Sequence, residues 1–277
     1  MKYPKVFIII LNYNGKNILK KTLESVYKLS YPNYQVVVVD NDSMDGSFEE
    51  ARLSFGKFNF IKNNQNVGFA AGNNVAIKWA LEKMADYVFL LNNDALIEKD
   101  SLTKLIDEAR KDEAIGILSP VIYRGDSDKV WFSGGKINWL KMRAEHVDNI
   151  SETQYITGCA MLIKKDVFKK IGLLDEKFFL YYEDADFSFR AARAGFKLKI
   201  VKVASVFHFE KSAESLNKIY YLVFSGIRFF RKNSNFFIRI YIEGYLLARK
   251  VKNNYDIKRG INKEKALLVR KAYQEIK

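Results

Sequence analysis

The sequence has little cysteine, proline or glycine: one Cys, three Pro and 15 Gly in 277 residues. A single cysteine excludes a disulfide framework and a zinc site built from several cysteines, and it favours a reducing compartment. The low proline and glycine content excludes collagen-like and linker-rich architectures. Since 48% of the residues are hydrophobic and 28% are charged, the chain has the composition of a globular protein with a sizeable core.

Long hydrophobic runs are also missing. Val6–Leu11 is apolar, but six residues are too few for a signal sequence and asparagines follow at once. The runs at 219–230 and 236–251 contain Arg or Glu and are shorter than the roughly 20 apolar residues that cross a bilayer. We therefore expect a cytoplasmic protein without a membrane span.

Charge is distributed unevenly. The whole chain carries +14, and residues 211–277 hold ten Lys and six Arg against five acidic residues, a net charge of +11. The first 210 residues carry only +3. A basic, aromatic tail on a nearly neutral body has three candidate partners: nucleic acid, an anionic membrane or phosphorylated ligands.

The body alternates between short β-branched runs and helical patterns. Val6–Leu11, Val36–Val39, Phe58–Ile61 and Tyr87–Leu91 predict buried strands, each followed by a segment with helical periodicity. This order indicates βαβ units, an α/β fold and a mostly parallel sheet with helices on both faces. Ligands of such sheets bind beyond the carboxyl ends of the strands, where this sequence has polar clusters.

Two of these clusters follow the first two strands, and two more follow later in the chain. They are Asn12-Tyr13-Asn14, residues 40–47, residues 64–73 and Asn92-Asn93-Asp94. Caps and Asx turns are the alternative interpretation of the first two. An acceptor such as Asp40 could bind the imide N–H of uracil or thymine. Residues 64–73 are similar to a glycine-rich loop that binds phosphate at a helix start.

The remaining candidates are acidic residues and one histidine. Asp94, at the end of a buried strand, suits a hard cation that substrate phosphates complete, although a lone Asp there is as readily a cap. The aromatic run 178–182 leads into Glu183-Asp184, where a carboxylate against aromatic walls is a candidate general base. His208 lies between aromatic residues, which is more typical of a structural histidine. No site is predicted for His146.

Taken in order, these clusters resemble the family-2 glycosyltransferases with the GT-A fold, especially their rhamnosyltransferase-like branch, over residues 6 to about 212. The resemblance implies a Rossmann-like catalytic domain at 1–212, followed by a basic helical extension at 213–277. It also implies inverting transfer of a sugar from a UDP- or dTDP-sugar, with dTDP-rhamnose among the donors. The acceptor would be a hydroxyl of a glycan or a lipid-linked molecule in cell-surface polysaccharide synthesis.

The same resemblance assigns roles to individual residues. The nucleotide-sugar contacts would be Leu11, Tyr13, Asp40, Asp42, Asn66, Gly68, Asn73, Asn92 and Asn93. Mg²⁺ or Mn²⁺ would be held by Asp94 and His208, with Ser212 completing a His-x₃-Ser element. Asp184 would be the base, and Gly158, Tyr182 and Glu183 would contact the donor or acceptor sugar. The amides at 92 and 93, where an Asp-x-Asp motif has a carboxylate, predict weak metal binding without nucleotide.

The tail leaves several alternatives open. Apolar residues between Phe236 and Val251 recur at helical spacing, which predicts an amphipathic helix. It could pack on the body or on a second subunit in a homodimer, or lie in the interface of an anionic membrane. The membrane alternative predicts a peripheral protein at the inner face of the cell membrane. A nucleic-acid-binding protein and an inactive glycosyltransferase-like scaffold are the competing functions, and the nearly neutral body disfavours nucleic acid as a partner.

Overall fold

The computed structural model describes residues 3–147, 152–209 and 216–276. Its strands are β1 (Val6–Asn12), β2 (Tyr34–Asp40), β3 (Asn59–Lys62), β4 (Tyr87–Leu91), β5 (Ala95–Ile97), β6 (Ile115–Arg124), β7 (Val130–Phe132), β8 (Gly135–Asn138), β9 (Arg143–His146), β10 (Ala160–Lys164) and β11 (Lys197–His208). Its helices are α1 (Leu19–Tyr27), α2 (Ser47–Ser54), α3 (Gly68–Glu82), α4 (Ser101–Ala109), α5 (Lys165–Ile171), α6 (Glu183–Arg193), α7 (Leu216–Asn233), α8 (Phe236–Arg259) and α9 (Lys263–Glu275).

One large sheet organises the body, with strand order β3-β2-β1-β4-β10-β6-β11-β5 and β7 paired to β6. The first four strands are all parallel, and their register sets Asn12 opposite Asp40. β10 enters antiparallel between β4 and β6, so the second half of the sheet is mixed. Because β1, β2 and β4 are parallel neighbours, their carboxyl ends form one edge, as the sequence predicts.

Both faces of the sheet are covered, as expected for parallel strands. Along β1, Ile8 and Ile10 point into a core with α1 and α4, whereas Phe7 and Ile9 point into a second core with α3 and α5. Successive side chains of a strand point to opposite faces, so a continuous apolar run is buried on both sides. The predicted α/β fold with helices on both faces is confirmed.

β6 is a central strand that contains a proline. Pro120 pairs with Val201 of β11, and the next pair in the ladder is Val121 with Ser205. Three residues of β11 are therefore skipped at this irregularity. A bulge in the partner strand accommodates a residue that has no N–H to donate to the ladder. β11 then continues to its end at His208, so this histidine is the last residue of the strand.

The carboxyl-terminal helices begin with α7, which packs on the body. Phe229 and Phe230 are fully buried against Tyr182 and Trp139. The Ser225 hydroxyl also donates to the carbonyl of Leu180 at 2.8 Å. Packing on the body, one of the open alternatives for the tail, therefore holds for α7. The division of the chain at residue 212 stays a prediction.

α8 has two different faces. Ile242 and Leu246 are buried, and the Arg231 guanidinium pairs with Glu243 at 2.8 Å. The opposite face carries five apolar side chains that are 60–80% exposed: Phe236, Phe237, Ile240, Leu247 and Val251. The predicted amphipathic helix is thus present, and it is eight residues longer than its apolar repeat. No helix in the described part of the chain combines the length and apolarity that a bilayer span requires.

Candidate active site

Asn12 joins the ends of three strands. Its side chain is fully buried, and Nδ2 donates to Asp40 Oδ1 at 2.8 Å and to Ser47 Oγ at 2.9 Å. Its Oδ1 accepts a hydrogen bond from Asn93 Nδ2 at 3.0 Å. One amide therefore fixes the ends of β1, β2 and β4 relative to one another. The sequence pattern suggested only a cap at the start of a helix here. In the structure, Asn12 also holds the ends of neighbouring strands together.

The two predicted carboxylates after β2 have different surroundings. Asp40 is fully buried, with Oδ1 accepting from Asn12 and from Ser43 Oγ, and Oδ2 accepting from the Ser43 N–H. Asp42 is half-buried with a left-handed backbone (φ 63°). Asp40 thus holds the loop together from inside, and its predicted contact with a nucleotide stays a prediction. Leu11 is half-buried beside this loop and Tyr13 is exposed at its rim.

The glycine-containing loop before α3 is held by protein groups. The Gly68 N–H donates to Asn66 Oδ1 at 3.0 Å, and the Phe69 N–H donates to the carbonyl of Phe179 at 2.7 Å. These helix-start donors therefore have partners within the chain, unlike those of a phosphate-binding loop. Asn73 is buried and donates to the carbonyl of Phe69 inside α3. The nucleotide roles assigned to these positions stay predictions, and the structure gives the loop a packing role.

Asp94 and His208 meet although they are 114 positions apart in the chain. The antiparallel pair β5–β11 sets Ala95 opposite His208, and His208 Nε2 lies 3.1 Å from Asp94 Oδ1. Asp94 Oδ1 and His208 Nδ1 are both buried and make no hydrogen bond within the described residues. The short distance without hydrogen-bond geometry is the arrangement expected of two ligands that face a common cation.

The electrostatics of His208 depend on its neighbours. Burial disfavours the charged imidazole, but the Cys159 sulfur and the Asp94 carboxylate outweigh burial and raise the pKa of His208 to about 10. A cation at this pair would compete with that proton, so its affinity would fall at low pH. Within the described residues no group of three or more His, Cys, Asp or Glu side chains could hold a metal. The pair therefore suits a cation that substrate phosphates complete.

The two predicted asparagines before Asp94 are held by hydrogen bonds to neighbouring elements. Asn93 donates to Asn12 as described, and its carbonyl accepts the Thr22 hydroxyl at 2.8 Å. The Asn92 N–H donates to the Cys159 carbonyl at 2.9 Å, and the Asn92 side chain is half-buried. Ser212, predicted to accompany His208, lies outside the described residues.

The predicted base stands at the start of α6. Tyr181 and Tyr182 both have left-handed backbones (φ 67°) immediately before Glu183 and Asp184. Strain of this kind in residues other than glycine persists where the surroundings impose it, and it is common at active sites. Here Gly226 of α7 approaches the Tyr182 ring closely, so that even a methyl group at position 226 would lie 3.2 Å from it.

Glu183 and Asp184 differ in their contacts. Asp184 is half-buried, with Oδ2 accepting the Gly158 N–H at 2.9 Å and Oδ1 accepting the Ala185 N–H at 2.7 Å. Burial raises the pKa of Asp184 in spite of these hydrogen bonds. Glu183 is buried, its Oε2 has no partner among the described residues, and burial together with Asp184 raises its pKa well above the usual value. Asp184 is therefore the carboxylate that is both accessible and anchored.

Two adjacent residues connect the candidate base to the candidate metal pair. Gly158 donates its N–H to Asp184, and Cys159 lies beside His208 while its carbonyl accepts the Asn92 N–H. A methyl group at Gly158 would lie 3.0 Å from the Phe69 ring and 3.6 Å from Asp184 Cβ. The structure thus brings the predicted base, metal pair and strand-end residues into one continuous site.

Three aromatic or imidazole side chains at this site were missed by sequence reasoning. The Trp131 ring lies 4.5 Å from that of His208 and 4.5 Å from that of His146. The buried Tyr155 lies 6.3 Å from His146, and Asp184 contributes to the raised pKa of its hydroxyl. The sequence signal for this region is the pair Gly134 and Gly135, because paired glycines allow close backbone approach.

Comparisons with known proteins identify the family and the fold of the chain. The model of glycosyl transferase family 2 matches residues 7–172. The chain is 27% identical to the low-salt glycan biosynthesis hexosyltransferase Agl10 of Haloferax volcanii over 83% of its length and 76% of that protein's. It is also 24% identical to the dTDP-rhamnosyl transferase RfbF of Shigella flexneri, over 73% of the chain and 68% of that protein.

Two solved structures share the fold. The mannosyltransferase PcManGT of Pyrobaculum calidifontis, in complex with GDP-Man and Mn²⁺, has a TM-score of 0.65 at 15% identity over 97% of this chain and 86% of that one. GalNAc-T7 with UDP, GalNAc and Mn²⁺ has a TM-score of 0.64 at 18% identity over 79% of this chain. This chain spans about half (48%) of the GalNAc-T7 structure.

Fold and site together define a GT-A glycosyltransferase. The chain belongs to glycosyl transferase family 2, and rhamnosyltransferases are among its relatives at 24–26% identity. The predicted family and fold class are therefore confirmed.

Proposed function

We propose that the protein transfers a sugar, with inversion, from a nucleoside-diphosphate sugar to a hydroxyl group of a glycan or lipid-linked acceptor. The observation that carries this proposal is the link between Asp184 and the Asp94–His208 pair through Gly158 and Cys159. A candidate base and a candidate site for the leaving diphosphate are thereby attached to two adjacent residues of the chain. Such positioning favours a single in-line displacement.

In this reaction Asp184 takes the proton of the acceptor hydroxyl as its oxygen attacks the anomeric carbon. The bond from that carbon to the diphosphate oxygen breaks at the same time, so no nucleophile of the enzyme is needed. The raised pKa of Asp184 makes it a stronger base than an ordinary aspartate. A positioned general base contributes roughly 10²–10⁴-fold to the rate.

Mg²⁺ or Mn²⁺, held by Asp94 Oδ1 and His208 Nε2, would act as a Lewis acid on the departing diphosphate. Asn92 and Asn93 supply amides and no further carboxylate, so we expect cation and donor to bind together. The base and ribose would contact three residues of these loops that have exposed surface: the half-buried Leu11 and Asp42 and the exposed Tyr13. A UDP- or dTDP-sugar is the proposed donor, and the similarity to RfbF favours dTDP-rhamnose.

Asp184→Asn tests the chemistry. The chain is incubated with Mn²⁺ and a panel of UDP-, dTDP- and GDP-sugars, and both transfer or hydrolysis and the donor-induced rise in melting temperature are measured. We expect the variant to lose about 10²–10⁴-fold in turnover and to keep the thermal shift. Asp166→Asn, on α5 and with a side chain that is 43% exposed, is the matched control. A wild-type chain that binds and turns over none of the donors would contradict the proposal.

We further propose that the enzyme works in the cytoplasm at the inner face of the membrane and that the exposed apolar face of α8 contacts the lipid. An apolar stripe of this size on a helix is a mark of an interaction surface. Basic residues on both sides of the stripe, Arg239, Lys250, Lys252 and Arg259, complement anionic head groups. This placement suits synthesis of cell-surface polysaccharide on a lipid-linked acceptor.

Leu247→Glu tests the membrane contact in cosedimentation with vesicles of phosphatidylcholine, with and without phosphatidylglycerol. We expect binding only to the anionic vesicles. The variant should bind roughly tenfold more weakly, since it removes one leucine side chain from contact with the lipid. Leu53→Glu, at a still more exposed leucine on α2 (84% against 64% for Leu247), should bind like wild type. A different result would identify the face as a subunit interface: the wild-type chain does not bind vesicles and is a dimer, and Leu247→Glu converts it into a monomer.

A further inference from the structure

Trp131 stands between two imidazoles. Its ring meets that of His208 at 67° and that of His146 at 75°, both with centroids 4.5 Å apart. His208 belongs to the candidate metal pair. His146 lies on the side of the candidate base: its ring is 6.3 Å from that of Tyr155, and Gly158, three residues after Tyr155, donates its N–H to Asp184. The indole therefore spans the interval between the two reacting ends of the site.

The indole is also held rigidly. β7 pairs with β6 through Phe132 opposite Ile122, and Phe132 is fully buried under the His146 ring at 5.1 Å. The following turn is tight, since a methyl group at Gly135 would overlap the Tyr155 ring. The Trp131 side chain itself is only partly buried, and its N–H donates to no acceptor within the described residues. A fixed, partly exposed aromatic ring with a spare donor is a preorganised binding surface.

We propose that Trp131 forms the wall against which the transferred sugar rests. This inference depends on the proposed function: the sugar must lie between its diphosphate at Asp94–His208 and the acceptor hydroxyl at Asp184, which is the interval that Trp131 spans. The C–H face of a pyranose, and most of all that of a 6-deoxyhexose, is apolar enough to pack on an indole. The indole N–H is available to a sugar hydroxyl.

Trp131→Ala and Trp131→Phe in the full chain test the inference. Dissociation constants are measured with Mn²⁺ for dTDP, UDP and the corresponding nucleotide sugars. We expect Trp131→Ala to bind the nucleotide sugar about three- to tenfold more weakly and the free nucleoside diphosphate as wild type does, because aromatic contacts have energies of that order. Trp131→Phe should recover part of the loss. Trp139→Phe, a tryptophan packed against α7, is the control and should leave the ratio of the two constants unchanged.

Three results would overturn the inference in distinguishable ways. If neither dissociation constant changes in a folded Trp131→Ala variant, the sugar wall alone is refuted. An equal loss for the diphosphate and its sugar assigns Trp131 to the support of His208 instead. A wild-type chain that binds neither ligand refutes the proposed function, and the sugar wall with it.

Discussion

Asp186 is the residue whose removal gives the clearest test of how the tail is attached. It has no exposed surface, and its carboxylate accepts hydrogen bonds from Arg190 Nε at 2.8 Å, Lys232 Nζ at 2.9 Å and Asn233 Nδ2 at 3.1 Å. Two of these donors belong to α7, so the carboxylate connects α6, which carries Asp184, to the carboxyl-terminal helices. Asp186→Asn keeps the shape and removes the charge.

The expected cost follows from the three donors. Hydrogen bonds to a charged group contribute about 1.5–3 kcal/mol each, but partly hydrated cations contribute less, and Arg190 and Lys232 are 21% and 36% exposed. Taking about 1 kcal/mol for each donor gives a loss of about 3 kcal/mol. With an unfolding entropy of roughly 2.1 cal/mol/K per residue for 277 residues, the melting temperature should fall by about 5 °C.

Differential scanning calorimetry at neutral pH measures this shift. Asp166→Asn is again the control, because that side chain is 43% exposed and forms ion pairs only with Lys164 and Lys169 among the described residues. We expect the control to change the melting temperature by about 1 °C or less. If Asp186→Asn is no less stable than the control, the network does not hold α7 on the body, and the attachment depends on the aromatic packing of Phe229 and Phe230.

Three further predictions concern the site. Because burial raises the pKa of Asp184, kcat/KM should rise with pH through a midpoint above 3.8, the ordinary aspartate value; a midpoint at that value would contradict the role of burial. Burial also raises the pKa of Glu183, so between the usual value of 4.5 and the raised pKa the folded chain holds a proton that the unfolded chain releases. The free energy of unfolding should therefore fall as pH rises through that range. Glu183→Gln should flatten the accompanying fall in melting temperature, and an unchanged slope would refute the role of Glu183. Gly68→Ala should cost about 2 kcal/mol or more in urea unfolding, since Gly68 has φ 84° and a methyl group would collide with Phe179, whereas Gly172→Ala, at φ 76° in open space, should cost only about 1 kcal/mol.

The local elements of the first half of the fold follow from the sequence because each is determined by its own residues. The run Val6–Leu11 is apolar on both faces and can only be a doubly covered strand. The strand ends could be located for the same reason, and with them Asp94, whereas Asp184 was located by the aromatic run that precedes it. β6 could not be predicted in this way, because Pro120 argues against a central strand unless a bulge forms in β11, about 80 positions further along the chain.

The residues that sequence reasoning missed depend on contacts between distant positions. Trp131 and His146 come from short strands whose pattern is weak, and only their packing against His208 brings them to the site. The loop at Gly68 looked like an anion site because its partner, the carbonyl of Phe179, lies more than a hundred residues away in the sequence. Patterns of residue type predict which groups are available, whereas the tertiary fold decides which of them are already bonded.

The hydrogen bonds of Asn12 have a consequence for engineering. The Asn12 amide is hydrogen-bonded to Asp40, Ser47 and Asn93. The loops after β1, β2 and β4 are therefore one hydrogen-bonded unit and must shift together. A change of donor preference sought by replacing one loop residue at a time would strain the other loops through this amide. Grafting the three loops together from a relative, with their own residue at position 12, is the route by which nucleotide preference can be exchanged.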